Sequence, residues 1–167
     1  MKRKLKDLVI NNIFETQCVV SNKANVLFAA QLLKECKSEA AIILKDGIIS
    51  GIVTEKDIFN CFTDNDLLKI HMMTVDEIMS KKVICVDLSY TLEECLYIMC
   101  KLKIHHLPIV DLENKKPFSI ISLKQIANVI MDEKQFEINQ LLKYITGNEE
   151  KAEVFTGLRE HKEIVFV

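Results

Sequence analysis

Two places in the sequence put a hydroxyl side chain three residues ahead of a carboxylate or an amide, directly after an apolar, β-branched run. The pairs are Thr54 with Asp57 and Ser122 with Gln125. This spacing is typical of a helix N-terminus, where each side chain binds the backbone N–H of the other residue. One interpretation of both pairs is therefore structural, because such a cap contributes about 1 kcal/mol to a helix and nothing else.

The other interpretation is a ligand site. The first turn of a helix presents free N–H groups and the positive end of the helix dipole, which attract anions. A carboxylate such as Asp57 beside that turn accepts hydrogen bonds from both hydroxyls of a ribose, while Thr54 faces a phosphate. Gln125 is neutral and has one acceptor oxygen, so we expect the site of Ser122 and Gln125 to be weaker or empty.

The elements that would position these pairs occur twice. Val20 and Ile43 match Val86 and Ile109 at a spacing of 66 residues. Each copy also contains an apolar helix face with the spacing i, i+3, i+4 and i+7. The faces consist of Val26, Ala29, Ala30 and Leu33 in the first copy, and of Leu92, Cys95, Leu96 and Met99 in the second. The pattern predicts the order β-α-β-β-α in both halves of an internal repeat.

The repeat sets the predicted boundaries. They are a lead-in segment at 1–15, a first repeat at 16–62, a linker with a short helix at 63–78, a second repeat at 79–132, and a C-terminal helix and tail at 133–167. In the second repeat we predict a strand at 83–86 and a last helix at 123–132. A separate helix at 135–146 follows, and Gly147 is placed to end it.

Composition disfavours several classes of protein. The formal net charge is −2, with 22 basic and 24 acidic residues, whereas nucleic-acid binding needs a basic face. No apolar run reaches the ~18–20 residues that insertion across a membrane requires. Six cysteines without a C-x-x-C motif indicate reduced thiols in a cytoplasmic protein. The sequence contains neither a nucleophile elbow nor a glycine-rich phosphate loop, so no motif of this kind indicates an enzyme.

Two motifs are similar to the signatures of cystathionine-β-synthase (CBS) domains, namely GIVTEKD at 51–57 and IHHLPIV at 104–110. Over about residues 14–131 the chain resembles a tandem CBS pair. The resemblance implies an α+β fold in which two β-α-β-β-α repeats are related by a pseudo-twofold axis. Their sheets would pack together with the helices outside, and two copies of the chain would form a homodimer.

The resemblance also implies an adenosyl ligand in the cleft between the repeats. The candidates are an adenine nucleotide (AMP, ADP or ATP) and S-adenosylmethionine, with no cofactor required. The slot for the adenine would lie beside Asp57 and come from the second repeat. Its residues would be Met79, Ile84 and Ile104, with His105 near the rim. The alternative is that these apolar side chains only fill the core.

In the family, polar or basic residues just before the Leu-Pro strand meet the phosphates of the ligand that the same repeat holds. His105 and His106 would then serve the Gln125 site, whereas Glu39 would repel a phosphate beside Asp57. We therefore expect the Asp57 site to suit an adenosine moiety with few phosphates, or one whose phosphates reach nearby lysines. Those lysines are Lys56, Lys81 and Lys82.

Together these expectations describe a regulatory, ligand-sensing module that acts on a separate effector protein. One alternative is a structural or oligomerising CBS pair with degenerate sites. Another is a metal-binding or transport accessory module that uses His105 and His106. Their spacing fits no standard zinc pattern, and adjacent residues on a strand point to opposite faces, which disfavours a metal site.

Overall fold

The structure, a computed structural model, describes residues 3–9, 18–111 and 116–146, with side chains described as far as residue 141. The chain divides into two compact units, Met1–Gln125 and Ile126–Val167. The elements in chain order are α1 (Leu5–Val9), β1 (Val19–Ser21), α2 (Val26–Cys36), β2 (Ala40–Lys45), β3 (Ile48–Thr54), α3 (Glu55–Asp64), α4 (Leu67–Ile70), α5 (Val75–Ile78), α6 (Leu92–Leu102), β4 (His106–Asp111), β5 (Lys116–Ser122) and α7 (Leu123–Thr146).

The first repeat forms a sheet of three strands in the order β1-β2-β3. β1 is parallel to β2, and β2 is antiparallel to β3. The hairpin between β2 and β3 turns at Asp46 and Gly47, which have φ values of 51° and 79°. A two-residue turn with positive φ at both positions matches the twist of the strands and favours Asp-Gly. The first repeat therefore has the predicted β-α-β-β-α order.

The second repeat has the same order, except that a single bridge replaces its first strand. Residues 83–86 do not form the predicted strand, and Val86 makes only an isolated parallel bridge to Ile109. Its N–H donates to the Pro108 carbonyl at 3.0 Å and its carbonyl accepts from the Val110 N–H at 2.8 Å. The physical reason lies a few residues earlier, where Ser80 pairs with β3 of the first repeat. The segment thus serves two sheets, and only its end reaches β4.

Pseudo-equivalent residues end the first helix of each repeat. Lys37 after α2 and Lys103 after α6 both have the left-handed conformation, with φ values of 51° and 55°. The N–H of Lys37 donates to the carbonyl of Leu33, and that of Lys103 donates to the carbonyl of Met99. The repeat seen in the apolar pattern is therefore also present in the backbone geometry.

The last helix differs from the prediction. We predicted one helix at 123–132 and another at 135–146, but α7 is continuous over Leu123–Thr146. The intervening residues include no glycine or proline, so nothing in the local sequence interrupts the helix. The linker prediction also missed α4, and α3 continues to Asp64. Gly147 and the tail at 148–167 lie outside the described residues.

Two apolar layers build the first unit. The larger cluster lies between the helices and the sheet of the first repeat and includes Val26, Leu33 and Val53. The smaller cluster joins Ala40 and Ile42 of β2 to Ile120 of β5. The second cluster shows that the sheets of the two repeats pack against each other, as expected. The fold is therefore α+β with two paired repeats.

The lead-in segment contacts the second repeat. Leu5 and Leu8 of α1 are fully buried, and the Leu5 N–H donates to the Tyr90 carbonyl at 2.8 Å. The Leu92 N–H in turn donates to the Arg3 carbonyl at 3.1 Å. Residues 3–9 are thus hydrogen-bonded to the residues that begin α6. Among the helices that the structure describes, none has the length and apolarity needed to span a membrane.

Candidate functional site

The first turn of α3 carries the capping box predicted from the sequence. The Asp57 Oδ2 accepts hydrogen bonds from the Thr54 N–H at 2.8 Å and from the Thr54 hydroxyl at 2.7 Å. The Asp57 N–H donates back to Thr54 Oγ1 at 3.3 Å. The same arrangement begins α7, where the Ser122 N–H donates to Gln125 Oε1 at 2.7 Å. Both pairs therefore cap a helix, as the structural interpretation requires.

The first pair, Thr54 and Asp57, opens into a cavity. The cavity has a volume of about 550 Å³, within the range of about 300–1,000 Å³ typical of small-molecule sites. Its lining residues come from both repeats and are Glu39, Ile52, Thr54, Glu55, Lys56, Asp57, Ser80, Lys82, Val83, Ile84, Lys103, Ile104, His105, His106 and Pro108. The cavity therefore combines the hydrogen-bonding groups of the α3 N-terminus with a wall built from both repeats.

The structure brings most of the predicted site residues together. Thr54, Asp57, Ile84, Ile104 and His105 all line this cavity. They come from the end of β3, from α3, and from the segments before α6 and β4. Thr54 and Asp57 belong to the first repeat, whereas Ile84, Ile104 and His105 belong to the second. The pairing of the two repeats is therefore what creates the site.

Three other predicted residues lie elsewhere. Met79 does not line the cavity but is buried in the core of the first repeat, with 8% of its surface exposed. It packs against Gly51, where an added Cβ would overlap its sulfur and lie 2.9 Å from its Cγ. Ser122 is buried, and neither it nor Gln125 lines the cavity of Thr54 and Asp57. Met79 thus packs against Gly51, the neighbour of the wall residue Ile52, without lining the cavity itself.

The apolar part of the wall comes from both repeats. Ile52 belongs to β3, whereas Ile84, Ile104 and Pro108 belong to the second repeat. A backbone bridge holds the two sides together, because the Ser80 N–H donates to the Ile52 carbonyl at 2.9 Å and the Ile52 N–H donates to the Ser80 carbonyl at 3.1 Å. These side chains form a surface on which a flat aromatic group can pack.

The charged part of the wall is balanced. Three carboxylates line the cavity, from Glu39, Glu55 and Asp57, together with three lysines, Lys56, Lys82 and Lys103. Two of these lysines were predicted, whereas the predicted Lys81 forms an ion pair with Asp76 at 3.2 Å. Lys103 was missed because the sequence marks it only as the end of a helix.

The two histidines also line this cavity. We expected His105 near the rim of the slot beside Asp57, and we expected both histidines to serve the Gln125 site. The backbone hydrogen bonds show which residue of the first repeat corresponds to His105. The Glu39 carbonyl accepts from the Glu55 N–H at 3.1 Å, and the His105 carbonyl accepts from the Leu123 N–H at 2.8 Å. His105 is thus the counterpart of Glu39. The pairing of the repeats then brings the side chains of Glu39 and His106 within 3.5 Å of each other.

Within the ranges that the structure describes, no three His, Cys, Asp or Glu side chains are grouped as metal ligands would be. His105 and His106 share the cavity wall, but His106 faces Glu39, with the Oε2–Nε2 distance of an ion pair.

Comparison with known proteins supports the repeat architecture. The family model described as the CBS domain matches residues 75–132. A CBS-domain protein from Burkholderia ambifaria MC40-6 is 27% identical, with a TM-score of 0.62 over 71% of this chain and 85% of that one.

Two further similar structures contain ligands. The CBS domain pair of the protein MJ0100, in complex with 5′-methylthioadenosine and S-adenosyl-L-methionine, is 21% identical. Its TM-score is 0.68 over 80% of this chain and 99% of that one. The protein CBSX2, in complex with AMP, is 23% identical, with a TM-score of 0.61 over 79% of this chain and 98% of that one. At this identity the likeness concerns the fold.

Proposed function

Because this chain contains a CBS domain and has the fold of a CBS-domain pair, we propose that it is a regulatory module that binds an adenosyl ligand in the cavity between its repeats. The ligand is an adenine nucleotide (AMP, ADP or ATP) or an S-adenosyl compound such as S-adenosylmethionine. We propose no catalytic role for the cavity. The proposal also includes a homodimer in the cytoplasm that acts on a separate effector protein.

The observation that carries the proposal is the meeting of three kinds of surface in one cavity. The N-terminus of α3 supplies Thr54 and Asp57, the apolar wall supplies Ile52 and Ile104, and charged side chains complete the lining. An adenosyl ligand has the same three parts, which are an aromatic base, a ribose diol and a charged 5′ substituent. Two proteins of the same fold were solved with such ligands.

Each part of the ligand has a partner of matching chemistry. The adenine packs between Ile52 and the isoleucines of the second repeat, because apolar burial contributes roughly 25 cal/mol per Å². The ribose hydroxyls donate to the Asp57 carboxylate, whose capping bonds involve Oδ2 and leave Oδ1 as the acceptor for the ligand. The 5′ substituent then lies among Lys56, Lys82 and the histidines.

Regulation follows from the two-sided wall. Ile52 belongs to the first repeat and Ile104 to the second, so a bound ligand contacts both. Such a ligand favours the relative position of the repeats that closes the cavity around it. The shift in population is no larger than the difference in ligand affinity between the two positions. An effector protein that recognises one position would detect the ligand.

A purely structural CBS pair is the second candidate. The observation that favours it is that the capping boxes at Thr54 and Ser122 are complete within the chain. In that case the Asp57 carboxylate only stabilises α3, and nucleotides have no effect on the protein. The two candidates therefore differ in one measurable property, which is stabilisation by a ligand.

The test compares thermal unfolding of the wild type and of two matched variants. The ligands are AMP, ADP, ATP, 5′-methylthioadenosine and S-adenosylmethionine. Asp57→Ala removes a capping carboxylate that lines the cavity. Glu77→Ala removes the corresponding carboxylate of the Thr74 capping box, where the Thr74 N–H donates to Glu77 Oε1 at 2.8 Å, and Glu77 does not line the cavity. Both variants therefore lose a similar cap.

We expect at least one ligand to stabilise the wild type and the Glu77→Ala protein but not the Asp57→Ala protein. A ligand at a hundred times its dissociation constant raises the free energy of unfolding by about 2.7 kcal/mol. For a chain of this size that corresponds to about 5–10 °C in melting temperature. No response of the folded wild type to any ligand would support the structural candidate. Equal stabilisation of both variants by a ligand would instead refute the role of Asp57 in binding it.

A further inference from the structure

One contact between a carboxylate and a histidine in the cavity wall joins the two repeats. Glu39 precedes β2 in the first repeat, and His106 begins β4 in the second. Their side chains meet with Glu39 Oε2 3.5 Å from His106 Nε2. The His106 side chain is 14% exposed and its Nε2 is buried, whereas the Glu39 side chain is 52% exposed. The carboxylate thus faces the open cavity, and the imidazole forms part of its closed side.

The pair lies next to the residues proposed to hold the ribose. Ala40 pairs with Thr54 in the β2–β3 ladder, so Glu39 is one residue beyond the end of that ladder. The Glu39 carbonyl also accepts from the N–H of Glu55 in the first turn of α3. A ligand whose ribose binds Asp57 therefore places its 5′ substituent among charged groups that include Glu39.

The charge of this part of the wall depends on histidine. The other charged or titratable groups that line the cavity are three lysines, the carboxylates of Glu55 and Asp57, and the second histidine, His105. His105 is the same in the wild type and in a His106→Gln variant, so a comparison of these two proteins isolates the contribution of His106. Lysine, aspartate and glutamate keep their charge between about pH 6 and pH 8, but histidine is the side chain that changes charge in this interval. The Glu39–His106 pair is neutral as a whole when His106 is protonated, and it carries one negative charge when His106 is neutral.

We propose that the Glu39–His106 pair determines which 5′ substituent the cavity accepts, an inference that rests on the proposed adenosyl ligand. With His106 protonated, the pair tolerates an anionic substituent such as a phosphate. With His106 neutral, the uncompensated Glu39 carboxylate repels a phosphate but has no effect on an uncharged substituent. The site therefore selects its ligand by charge, and proton concentration shifts the selection.

The experiment measures the dissociation constants of AMP and 5′-methylthioadenosine by calorimetry at about pH 6 and about pH 8. Both ligands contain adenosine, but only AMP carries a phosphate. One unit charge at a partly exposed site changes anion affinity by about fivefold. We expect the wild type to bind AMP about fivefold more tightly at the lower pH, with the affinity for 5′-methylthioadenosine changing less than twofold.

Two substitutions separate the members of the pair. Glu39→Gln removes the negative charge, so this variant should bind AMP at the higher pH about as tightly as the wild type does at the lower pH. His106→Gln leaves Glu39 uncompensated at both values, so its AMP affinity should be low throughout. His71→Gln is the matched control, because His71 is exposed and does not line the cavity. Any pH effect that comes from ionisation of the AMP phosphate itself appears equally in the His71→Gln control.

Three outcomes decide the proposal. Loss of the pH effect in His106→Gln, with the effect kept in His71→Gln, supports it. Binding of both ligands with the same pH profile in wild type and His106→Gln overturns it and leaves the proposed adenosyl ligand intact. Failure of both ligands to bind the folded wild type at either pH overturns the proposed function as well. Circular dichroism of each variant shows that it is folded.

Discussion

Gly51 provides a sharp test of how the two repeats join. This glycine lies within β3 opposite Ile43 and is buried. A Cβ at this position would overlap the sulfur of Met79, and it would lie 2.9 Å from the Met79 Cγ and 3.1 Å from the Ser80 carbonyl oxygen. Met79 belongs to the buried core, and Ser80 is held by its two hydrogen bonds to Ile52. Gly51→Ala therefore requires both residues to move.

The expected cost follows from two opposing effects. Inserting a methyl group into a packed core costs about 1–3 kcal/mol. Alanine recovers about 0.5–1 kcal/mol relative to glycine within an element, because glycine has more freedom in the unfolded chain. Gly51→Ala should therefore lower the free energy of unfolding by about 1–2 kcal/mol, which corresponds to about 2–8 °C in melting temperature.

The assay is a double-mutant cycle with Met79→Ala, followed by urea or thermal unfolding. Removing the Met79 side chain creates the space that the new methyl group needs. Gly51→Ala should then cost almost nothing in the Met79→Ala background, which gives a coupling of about 1–2 kcal/mol between the two positions. Gly47→Ala is the control, because no atom lies within 4 Å of its added Cβ and its cost arises from a φ of 79°.

This reasoning is refuted if Gly51→Ala leaves the melting temperature of the wild type unchanged. It is also refuted if Gly51→Ala destabilises the wild type and the Met79→Ala variant equally. Coupling between Gly47→Ala and Met79→Ala would also count against it, since those residues are not in contact through the added methyl group. Because Ile52 and Ser80 line the cavity, we further expect Gly51→Ala to weaken AMP binding.

Two more predictions concern ionisable groups. Burial raises the pKa of the Cys95 thiol to about 11, so iodoacetamide at about pH 8 should modify exposed Cys100 and spare Cys95 until the protein unfolds. Mass spectrometry that finds equal labelling of both in the native protein would contradict this. Hydrogen bonds from Lys81 and then Asn22 hold the pKa of Asp76 below its usual value. A lowered carboxyl pKa stabilises the fold above the unfolded pKa, and this contribution is lost as pH falls through the folded pKa. Asp76→Asn should therefore lower the melting temperature at neutral pH but not below about pH 3, and an equal effect at both values would exclude the ion-pair explanation.

Several features of the fold were predictable because their causes are local. The capping box of Thr54 and Asp57 has both of its hydrogen bonds at the predicted spacing. The apolar faces of the two first helices, separated by 66 residues, predicted two similar repeats. A helix cap and an amphipathic face depend only on residues within one or two turns, so a single sequence contains the information for them.

Other features depend on contacts between distant segments. The strand predicted at 83–86 is reduced to a bridge at Val86, because Ser80 pairs with β3 of the other repeat. Met79 was predicted to line the cavity but lies in the core, since the same bridge places it behind Gly51. The segment from Met79 to Val86 passes from the sheet of the first repeat to that of the second. The direction in which its side chains point depends on this long-range pairing, and no local sequence pattern encodes it.

The amino-acid sequence is sufficient to predict the two repeats, the helix termini that carry Thr54 and Asp57, and the chemical types of side chain available to a site. The packing of the repeats is what places these side chains in one cavity with walls from both repeats and sets Glu39 opposite His106. The physical reason is that local hydrogen bonds and apolar periodicity build each repeat. The charges that meet at the cavity are instead set by how the two sheets pack together, through contacts between distant residues such as Ala40 and Ile42 with Ile120.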